Sequence, residues 1–305
     1  MNSSSGELRA GSLRLALRPD AGGAIAGLWH AGTPVLRSAE PAALTTARAS
    51  GCYPLVPYSN RIGLRRFCWQ GDEHVLAANV DDSPHALHGV AWQRPWAVVS
   101  GSATQAALRY CHVPDTDWPF AFDVTQRFLL TPAGLTVQLA VTSRADRAQP
   151  VGLGWHPNFP LRAQARLDID VSTLWERDAS NLPTHAVPQP GIHSAVSTLA
   201  LDHCFGGWRG PALVRDVALQ VRLTSSLPYL VVFTPDAPGS SPPPTPTPVQ
   251  IPTPTQTPTR THYAVEPVSH VSNAIQMADP AAHGLRTLAP GATFEAWMHL
   301  EISET

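Results

Sequence analysis

Apolar and polar side chains alternate with a period of two along much of the chain, as at residues 13–18, 137–142 and 217–223. This period is typical of strands that bury one face of a sheet. The sequence Thr-Pro-Ala-Gly at 131–134 precedes one such run and predicts a hairpin turn. Proline or glycine interrupts most helical windows. The pattern therefore predicts an all-β protein, a large antiparallel β-sandwich with few short helices.

One segment departs from this pattern. Residues 235–261 are dominated by Pro, Thr and Ser and lie between predicted strands at 230–233 and 263–266. Without an apolar face to bury, the tract is expected to be a disordered or polyproline-like loop. Lengthening a loop about fourfold adds only about 1.2 kcal/mol to its closure. We therefore expect a single domain, 1–305, that tolerates the tract as a surface insertion.

Charge and composition exclude several classes of function. The chain of 305 residues has 21 basic and 23 acidic side chains, a net charge of -2, and no long run of one sign. Nucleic acid and anionic membrane surfaces are therefore not expected partners. Every basic residue is arginine, which excludes a lysine Schiff base or a phosphate-loop lysine.

The cysteines and the N-terminus bear on location. Cys52, Cys68, Cys111 and Cys204 form no CxxC pair, so neither a zinc knuckle nor a disulfide scaffold is indicated. The first residues lack a basic region followed by an apolar run, and no stretch approaches about 18 apolar residues. We expect a soluble, cytoplasmic protein with free thiols.

A scattered set of polar residues, each in an apolar or turn-forming context, carries the candidate chemistry. The set is Asn60, Arg61, His88, His156, Asp202 and Glu266. Together these residues offer a general base, a general acid and several hydrogen-bonding clamps. That combination is what opening and closing a sugar hemiacetal requires.

Taken singly, each of these residues has a simpler interpretation. Glu266 follows an apolar run and precedes a proline, so it either ends a strand in solvent or faces a pocket. His156, in GWHPNF, is either a structural histidine or part of a sugar-binding wall on which the two aromatic rings would stack. Arg61 suits an exposed charge as well as a fork on two hydroxyls or a carboxylate. Asp202 could simply cap a turn.

No cofactor or metal is expected. His85 and His88 have the spacing HALH, but a metal would need a third ligand, and no HExxH, HxxEH or cysteine partner accompanies them. The segment 152–154 lacks the third glycine of a dinucleotide-binding loop, and no GxSxG elbow occurs.

Linked motifs in this order resemble those of the aldose 1-epimerase family, also called galactose mutarotases, and most of all its bacterial branch. The matching segments are GCYPLVPYSNRIG at 51–63, HALHGVAWQRPW at 85–96, GWHPNFP at 154–160, LDHCFGGW at 201–208, VEPVSH at 265–270 and LAPGATFEAWM at 288–298. The resemblance spans about Gly11 to Ile302. It implies a large β-sandwich with the sugar in an open cleft across one sheet.

The resemblance also implies a role for each residue. Glu266 matches the family's catalytic base and His156 its catalytic acid. The positions that match sugar-contacting residues are Arg61, His88, Asp202 and Asn60. The main departure is the Pro/Thr tract, which lies just before the strand of the base.

The expected function is interconversion of the α and β anomers of a free monosaccharide, an aldohexose, by a monomer or weak dimer. A hexose-6-phosphate 1-epimerase of the same fold is the first alternative, for which Arg65 and Arg66 would supply cationic groups. A non-catalytic sugar-binding or sensing protein is the second. A lyase or hydrolase would need a paired-carboxylate or tyrosine-base site, which the sequence does not reveal.

Overall fold

The computed structural model of the protein describes residues 6–81, 83–235 and 261–305. Within these residues the first 13 strands are β1 Glu7–Ala10, β2 Leu13–Arg18, β3 Ala24–His30, β4 Thr33–Pro34, β5 Pro54–Leu55, β6 Arg61–Ile62, β7 Arg66–Trp69, β8 Asp72–Val75, β9 Ala86–Leu87, β10 Ala97–Gly101, β11 Gln105–His112, β12 Phe122–Thr131 and β13 Gly134–Ser143. The strands that follow are β14 Gln149–Val151, β15 Gly154–Trp155, β16 Asn158–Pro160, β17 Arg166–Asp170, β18 Thr173–Arg177, β19 Pro183–Pro188, β20 Ile192–Ala195, β21 Asp202–Gly206, β22 Arg209–Arg215, β23 Leu219–Ser225, β24 Tyr229–Phe233, β25 His262–Val268, β26 Arg286–Leu288 and β27 Thr293–Glu304. Helical structure in the described ranges is limited to single 3₁₀ turns at Pro41–Ala43, Ala47–Ala49, Gly63–Arg65, Ala91–Gln93, Val196–Thr198 and Ala274–Gln276.

Two large sheets dominate the architecture. One has nine strands in the order β10-β11-β12-β13-β27-β23-β22-β17-β20. The other has eight, in the order β19-β18-β21-β24-β25-β15-β5, with β16 also paired to β25. Strands β1 to β4 form a separate sheet. The predicted all-β antiparallel architecture is confirmed.

The main core lies between the two large sheets. On β13, Val137, Leu139 and Val141 are fully buried, while Gln138 between them is exposed. These side chains belong to the same apolar cluster as Val265 and Val232 of the eight-stranded sheet. Alternation along β13 therefore puts every second residue into this core.

Most of the predicted strands and turns are present, with one local error. The hairpin at 131–134 joins β12 to β13, with Thr131 opposite Gly134. Residues 13–18 form β2. In the predicted strand at 217–223, however, β23 begins only at Leu219, and Val217 is 54% exposed. Asp216 just before it accepts hydrogen bonds from the backbone N–H groups of Ala218 and Leu219, which makes this stretch a turn.

The register of the eight-stranded sheet positions the predicted site residues. Gly154 is opposite Val268 and Asn158 is opposite Ala264, so the same register places His156 opposite Glu266. Opposite residues of an antiparallel pair point to the same face of the sheet. The face they share is the one turned away from the main core.

The Pro/Thr tract leaves this register intact. Strands β24 and β25 flank the tract and pair directly, with Val231 opposite Glu266. The predicted disordered loop at 235–261 lies outside the described residues except for its two ends. The single-domain assignment stays a prediction. Of the helices described, none is long or apolar enough to cross a bilayer.

Candidate active site

A cavity of about 180 Å³ opens on the outer face of the eight-stranded sheet. Its lining residues are Arg48, Tyr53, Asn60, Arg61, Leu87, His88, His156, Asn158, Asp202, Phe233, His262 and Glu266. The structure thus brings together all six residues predicted from the sequence, although they are spread over some two hundred positions.

Glu266 and His156 form the centre of the site. The Nε2 atom of His156 lies 3.3 Å from Oε1 of Glu266. The Glu266 side chain is only 2% exposed, and that of His156 12%. Neither Oε2 of Glu266 nor Nδ1 of His156 has a hydrogen-bond partner among the described residues. A buried polar atom without a partner is costly, about 1–3 kcal/mol, so the positions of these two groups are not explained by hydrogen bonding within the described residues.

Burial shifts both of these groups towards their neutral forms. Desolvation raises the pKa of Glu266 well above its usual value, and the negative charge of Asp202 adds to this shift while Arg61 opposes it. Desolvation lowers the pKa of His156 to about 3. Both shifts favour the neutral pair, in which the single proton is on Glu266, over the ion pair, in which that proton is on His156.

His88 is fixed as a hydrogen-bond donor. Its Nδ1 accepts a hydrogen bond of 3.1 Å from the backbone N–H of Asn60, which leaves the proton of the neutral ring on Nε2. Burial lowers the pKa of His88 well below its usual value. Gly89 follows with φ +72°, and a Cβ at that position would lie 2.1 Å from the carbonyl oxygen of Val56. Only glycine therefore allows the chain to carry His88 this close to residue 56.

Arg61 and Asp202 form an ion pair in the same cavity as Glu266 and His156. Arg61 Nη2 donates to Asp202 Oδ2 at 3.1 Å, and Arg177 Nη1 donates to the same oxygen at 2.9 Å. Asp202 is the first residue of β21, so it is not a turn cap. Both partners of the Arg61–Asp202 pair are partly exposed to the cavity, which leaves polar atoms of each free to meet hydroxyl groups.

Asn60 anchors the loop that presents Arg61. It has a left-handed backbone, φ 56°, which asparagine tolerates better than most residues. Its Oδ1 accepts hydrogen bonds from the backbone N–H of Arg61 at 2.9 Å, from Arg61 Nη1 at 3.2 Å and from Ser272 Oγ at 2.5 Å. The side chain therefore orients the arginine and ties it to the segment after Glu266.

That segment secures the same loop at two further points. His270 Nε2 accepts a hydrogen bond of 3.1 Å from the backbone N–H of Ser59, and its Nδ1 donates to the carbonyl of Val271 at 2.7 Å. Asn273 accepts from the backbone N–H of Gly63 at 2.9 Å. The residues that follow Glu266 thus hold the loop of Asn60 and Arg61 from Ser59 to Gly63.

Several expectations need correction. Glu266 does not follow its strand but lies inside β25, with Val265 on one side and Pro267 on the other. The aromatic residues of GWHPNF do not face the cavity, because Trp155 and Phe159 are buried in the main core. Within that motif the cavity is lined only by the alternate residues His156 and Asn158.

Three further residues that the sequence analysis weighed, Arg65 and Arg66 for a phosphate and His85 for a metal, lie outside the cavity lining in the described part of the chain. His85 uses both ring nitrogens on backbone groups, Nδ1 with the N–H of Leu64 at 2.9 Å and Nε2 with the carbonyl of Ser180 at 2.9 Å. His85 therefore has a structural role, and its two ring nitrogens are already used by backbone groups.

Sequence reasoning missed part of the lining. The residues not predicted are Arg48, Tyr53, Leu87, Asn158, Phe233 and His262. Tyr53, Leu87 and Asn158 lie within the quoted motifs but received no role, and Arg48, Phe233 and His262 lie outside those motifs. The available signal was the strand period, since Asn158 lies two residues after His156, and His262 lies four before Glu266.

Comparison with known proteins places this architecture among the galactose mutarotase-like β-sandwiches. The solved structure of a galactose mutarotase-like protein from Clostridium acetobutylicum has a TM-score of 0.79 at 18% identity, over 98% of this chain and 95% of that one, and supports the fold alone. The structure of a candidate aldose 1-epimerase from Escherichia coli K12 has a TM-score of 0.83 at 29% identity, over 98% of each chain.

The sequence comparisons are more specific. The aldose 1-epimerase family profile matches residues 6–301. The uncharacterized protein YphB of Escherichia coli (strain K12) is 31% identical over 305 residues, which cover 97% of each chain. The chain belongs to the aldose 1-epimerase family.

Buried His270 predicts how stability depends on pH. Desolvation lowers its pKa to about 4, whereas a histidine in the unfolded chain titrates near pH 6.5. Between these values the unfolded chain binds a proton that the folded chain does not. The free energy of unfolding therefore falls as the pH drops through this window, by up to about 1.4 kcal/mol per pH unit for this group. Urea unfolding of the protein and of His270→Gln from about pH 7 to about pH 4.5 measures the effect. The variant should be less stable at neutral pH but show the shallower slope. Parallel curves would show that folding does not lower the pKa of His270.

Proposed function

We propose that this protein is an aldose 1-epimerase that interconverts the α and β anomers of a free aldohexose. The observation that carries the proposal is the contact between His156 Nε2 and Glu266 Oε1, 3.3 Å apart at the wall of a polar cavity. A base and an acid this close together can act on two oxygens bonded to the same carbon. The anomeric hydroxyl and the ring oxygen of a pyranose are such a pair.

The reaction needs two proton transfers. Glu266 removes the proton from the anomeric hydroxyl while His156 donates one to the ring oxygen, and the bond between the anomeric carbon and the ring oxygen breaks. The resulting aldehyde rotates about its bond to the next carbon. The same two groups then run the steps backwards and close the ring on the other face. Each group is typically worth about 10²- to 10⁴-fold in rate.

The proton count of the pair suits this cycle. Before ring opening the pair has one proton, on His156, and after it the pair still has one, now on Glu266. Burial favours the second arrangement, since it raises the pKa of Glu266 and lowers that of His156. The protein therefore stabilises the protonation state that accompanies the open-chain sugar, while the hydroxyls of the bound sugar favour the charged state.

The remaining polar groups supply binding. Asp202 Oδ1 and the guanidinium of Arg61 offer an acceptor and donors to neighbouring hydroxyls, and His88 offers its Nε2 proton. Asn60 orients Arg61 through its Oδ1, which accepts from Arg61 and Ser272, and it lines the cavity with an Nδ2 amide that can donate to the sugar. Held at several hydroxyls, the sugar stays bound while its ring is open.

The size of the cavity supports a small substrate. Its volume of about 180 Å³ is below the ~300–1,000 Å³ usual for drug-sized ligands. A single sugar ring suits this space better than a polysaccharide chain.

A hexose-6-phosphate 1-epimerase remains the second candidate, and one observation favours it. Arg48 lines the cavity, is exposed, and has no carboxylate partner within the described residues. It could therefore meet a phosphate where Arg65 and Arg66 could not. Competition by glucose 6-phosphate against free glucose distinguishes the two candidates, because only the second predicts strong inhibition.

Removal of either member of the pair should abolish most of the turnover. Polarimetry on freshly dissolved α-D-glucose or α-D-galactose measures the rate directly. We expect Glu266→Gln and His156→Ala each to lower kcat by about 10²- to 10⁴-fold, because each removes one of the two proton transfers. Glu295→Gln and His185→Ala, which change exposed residues outside the cavity, are the matched controls. Wild-type rates in both site variants would refute the assignment.

Substitutions of Arg61 and His88, the proposed sugar-binding residues, should affect binding as well as rate. Arg61→Ala removes charge-assisted donors, and His88→Asn removes the imidazole that donates into the cavity. We expect kcat/KM to fall by about 10- to 100-fold in each, with KM raised as well as kcat lowered. Arg127→Ala, an exposed arginine on β12, is the control. If KM does not change in either variant, these residues do not hold the sugar.

A further inference from the structure

Tyr53 lies opposite His156, where the paired strands β5 and β15 end. Pro54 and Leu55 form β5, with Pro54 opposite Trp155 and Leu55 opposite Gly154. The backbone N–H of His156 donates to the carbonyl of Tyr53 at 3.0 Å. The register therefore brings the two side chains to the same face of the sheet, the face that holds the cavity.

The ring of Tyr53 stacks on the imidazole of His156. Their centroids are 4.6 Å apart and the ring planes differ by 18°. His88 meets the same phenol ring edge-on at 6.0 Å, and Trp92 packs against it at 5.7 Å. The phenol thus contacts both cavity imidazoles, and Trp92 supports it from another side. A stacked aromatic neighbour restricts the orientation of an imidazole and favours its protonated form.

The hydroxyl of Tyr53 has no hydrogen-bond partner among the residues that the structure describes. Tyr53 is only 4% exposed and lines the cavity, yet its Oη makes no hydrogen bond to any described residue. A buried tyrosine hydroxyl usually finds such a partner, as Tyr110 does with His112 Nδ1 at 2.8 Å. Burial also raises the pKa of Tyr53 well above its usual value, so the hydroxyl keeps its proton and can donate it.

We propose that Tyr53 is a further functional residue of this site, whose ring positions the imidazole of His156 and whose hydroxyl hydrogen-bonds an oxygen of the bound sugar. This inference rests on the proposed function and adds to it a binding contact and a positioning role. A core tyrosine with a purely structural role would need only its ring. The free hydroxyl at the cavity is what separates the two possibilities.

Tyr53→Phe tests the hydroxyl, since it removes one oxygen and keeps the ring. We expect KM to rise about 3- to 10-fold with kcat within about threefold of the wild-type value, the effect of one lost neutral hydrogen bond. Tyr263→Phe is the matched control, because Tyr263 is equally buried on β25 but lies outside the cavity lining. An unchanged KM in Tyr53→Phe would overturn the hydroxyl contact.

Tyr53→Leu tests the ring. With the stack removed, we expect kcat at saturating sugar to fall at least about tenfold, because His156 is no longer held in line with the ring oxygen. Phenylalanine at this position should restore kcat, whereas a defect caused only by lower stability should disappear in assays well below the Tm. A Tyr53→Leu variant that folds and retains its kcat would overturn the positioning role.

Failure of the proposed function is distinguishable from failure of this inference. If the wild-type protein does not turn over glucose or galactose, the epimerase assignment fails. Calorimetric titration of the same sugars into wild type and Tyr53→Phe then decides the contact. Weaker binding by the variant supports it, and equal binding, or none by either protein, overturns it.

Discussion

The site depends on one cross-strand contact, that of Glu266 with His156. The register of β15, β16 and β25 places the two residues opposite each other, and the surrounding sheet removes both from solvent. A carboxylate alone in such a position would be strongly destabilising, because burial disfavours the charged form. A neighbouring imidazole lets the pair hold one proton between them. Desolvation favours the neutral form of each group, with the proton on Glu266.

The residues that follow strand β25 also hold the loop of Asn60 and Arg61. The residues after Glu266 bind the loop of Asn60 and Arg61 through His270, Ser272 and Asn273. Glu266 and the loop of Asn60 and Arg61 are therefore parts of one hydrogen-bonded frame. In the sequence, the Pro/Thr tract lies between β24 and β25. Because these two strands pair directly, with Val231 opposite Glu266, sheet hydrogen bonds fix the position of Glu266.

Much of the fold could be predicted from the sequence, because a period of two carries the information on which face of a strand is buried. For the site, the sequence analysis placed some side chains wrongly. Pro267 made Glu266 look like the end of a strand, since proline is uncommon inside sheets, yet β25 continues through Pro267 to Val268. Trp155 and Phe159 were interpreted as sugar-stacking rings. They are adjacent to His156 and Asn158 along the chain and therefore point to the opposite face, into the core.

The contacts that the sequence could not reveal depend on pairing between distant strands. Nothing in the run around Tyr53 shows that it lies beneath His156, because that follows from the register of β5 with β15. Arg177 likewise reaches Asp202 only through the pairing of β18 with β21. Motif resemblance predicted the six candidate site residues, and tertiary structure was needed to find the residues that hold them in place.

The central claim is that Glu266 and His156 act on the two oxygens of one anomeric carbon. A crystal structure of the Glu266→Gln variant soaked with D-glucose or D-galactose tests it most directly. Our account predicts the anomeric hydroxyl within about 2.6–3.2 Å of the side chain at position 266 and the ring oxygen within that distance of His156 Nε2. A sugar bound in the cavity with its anomeric carbon directed away from both residues would contradict it.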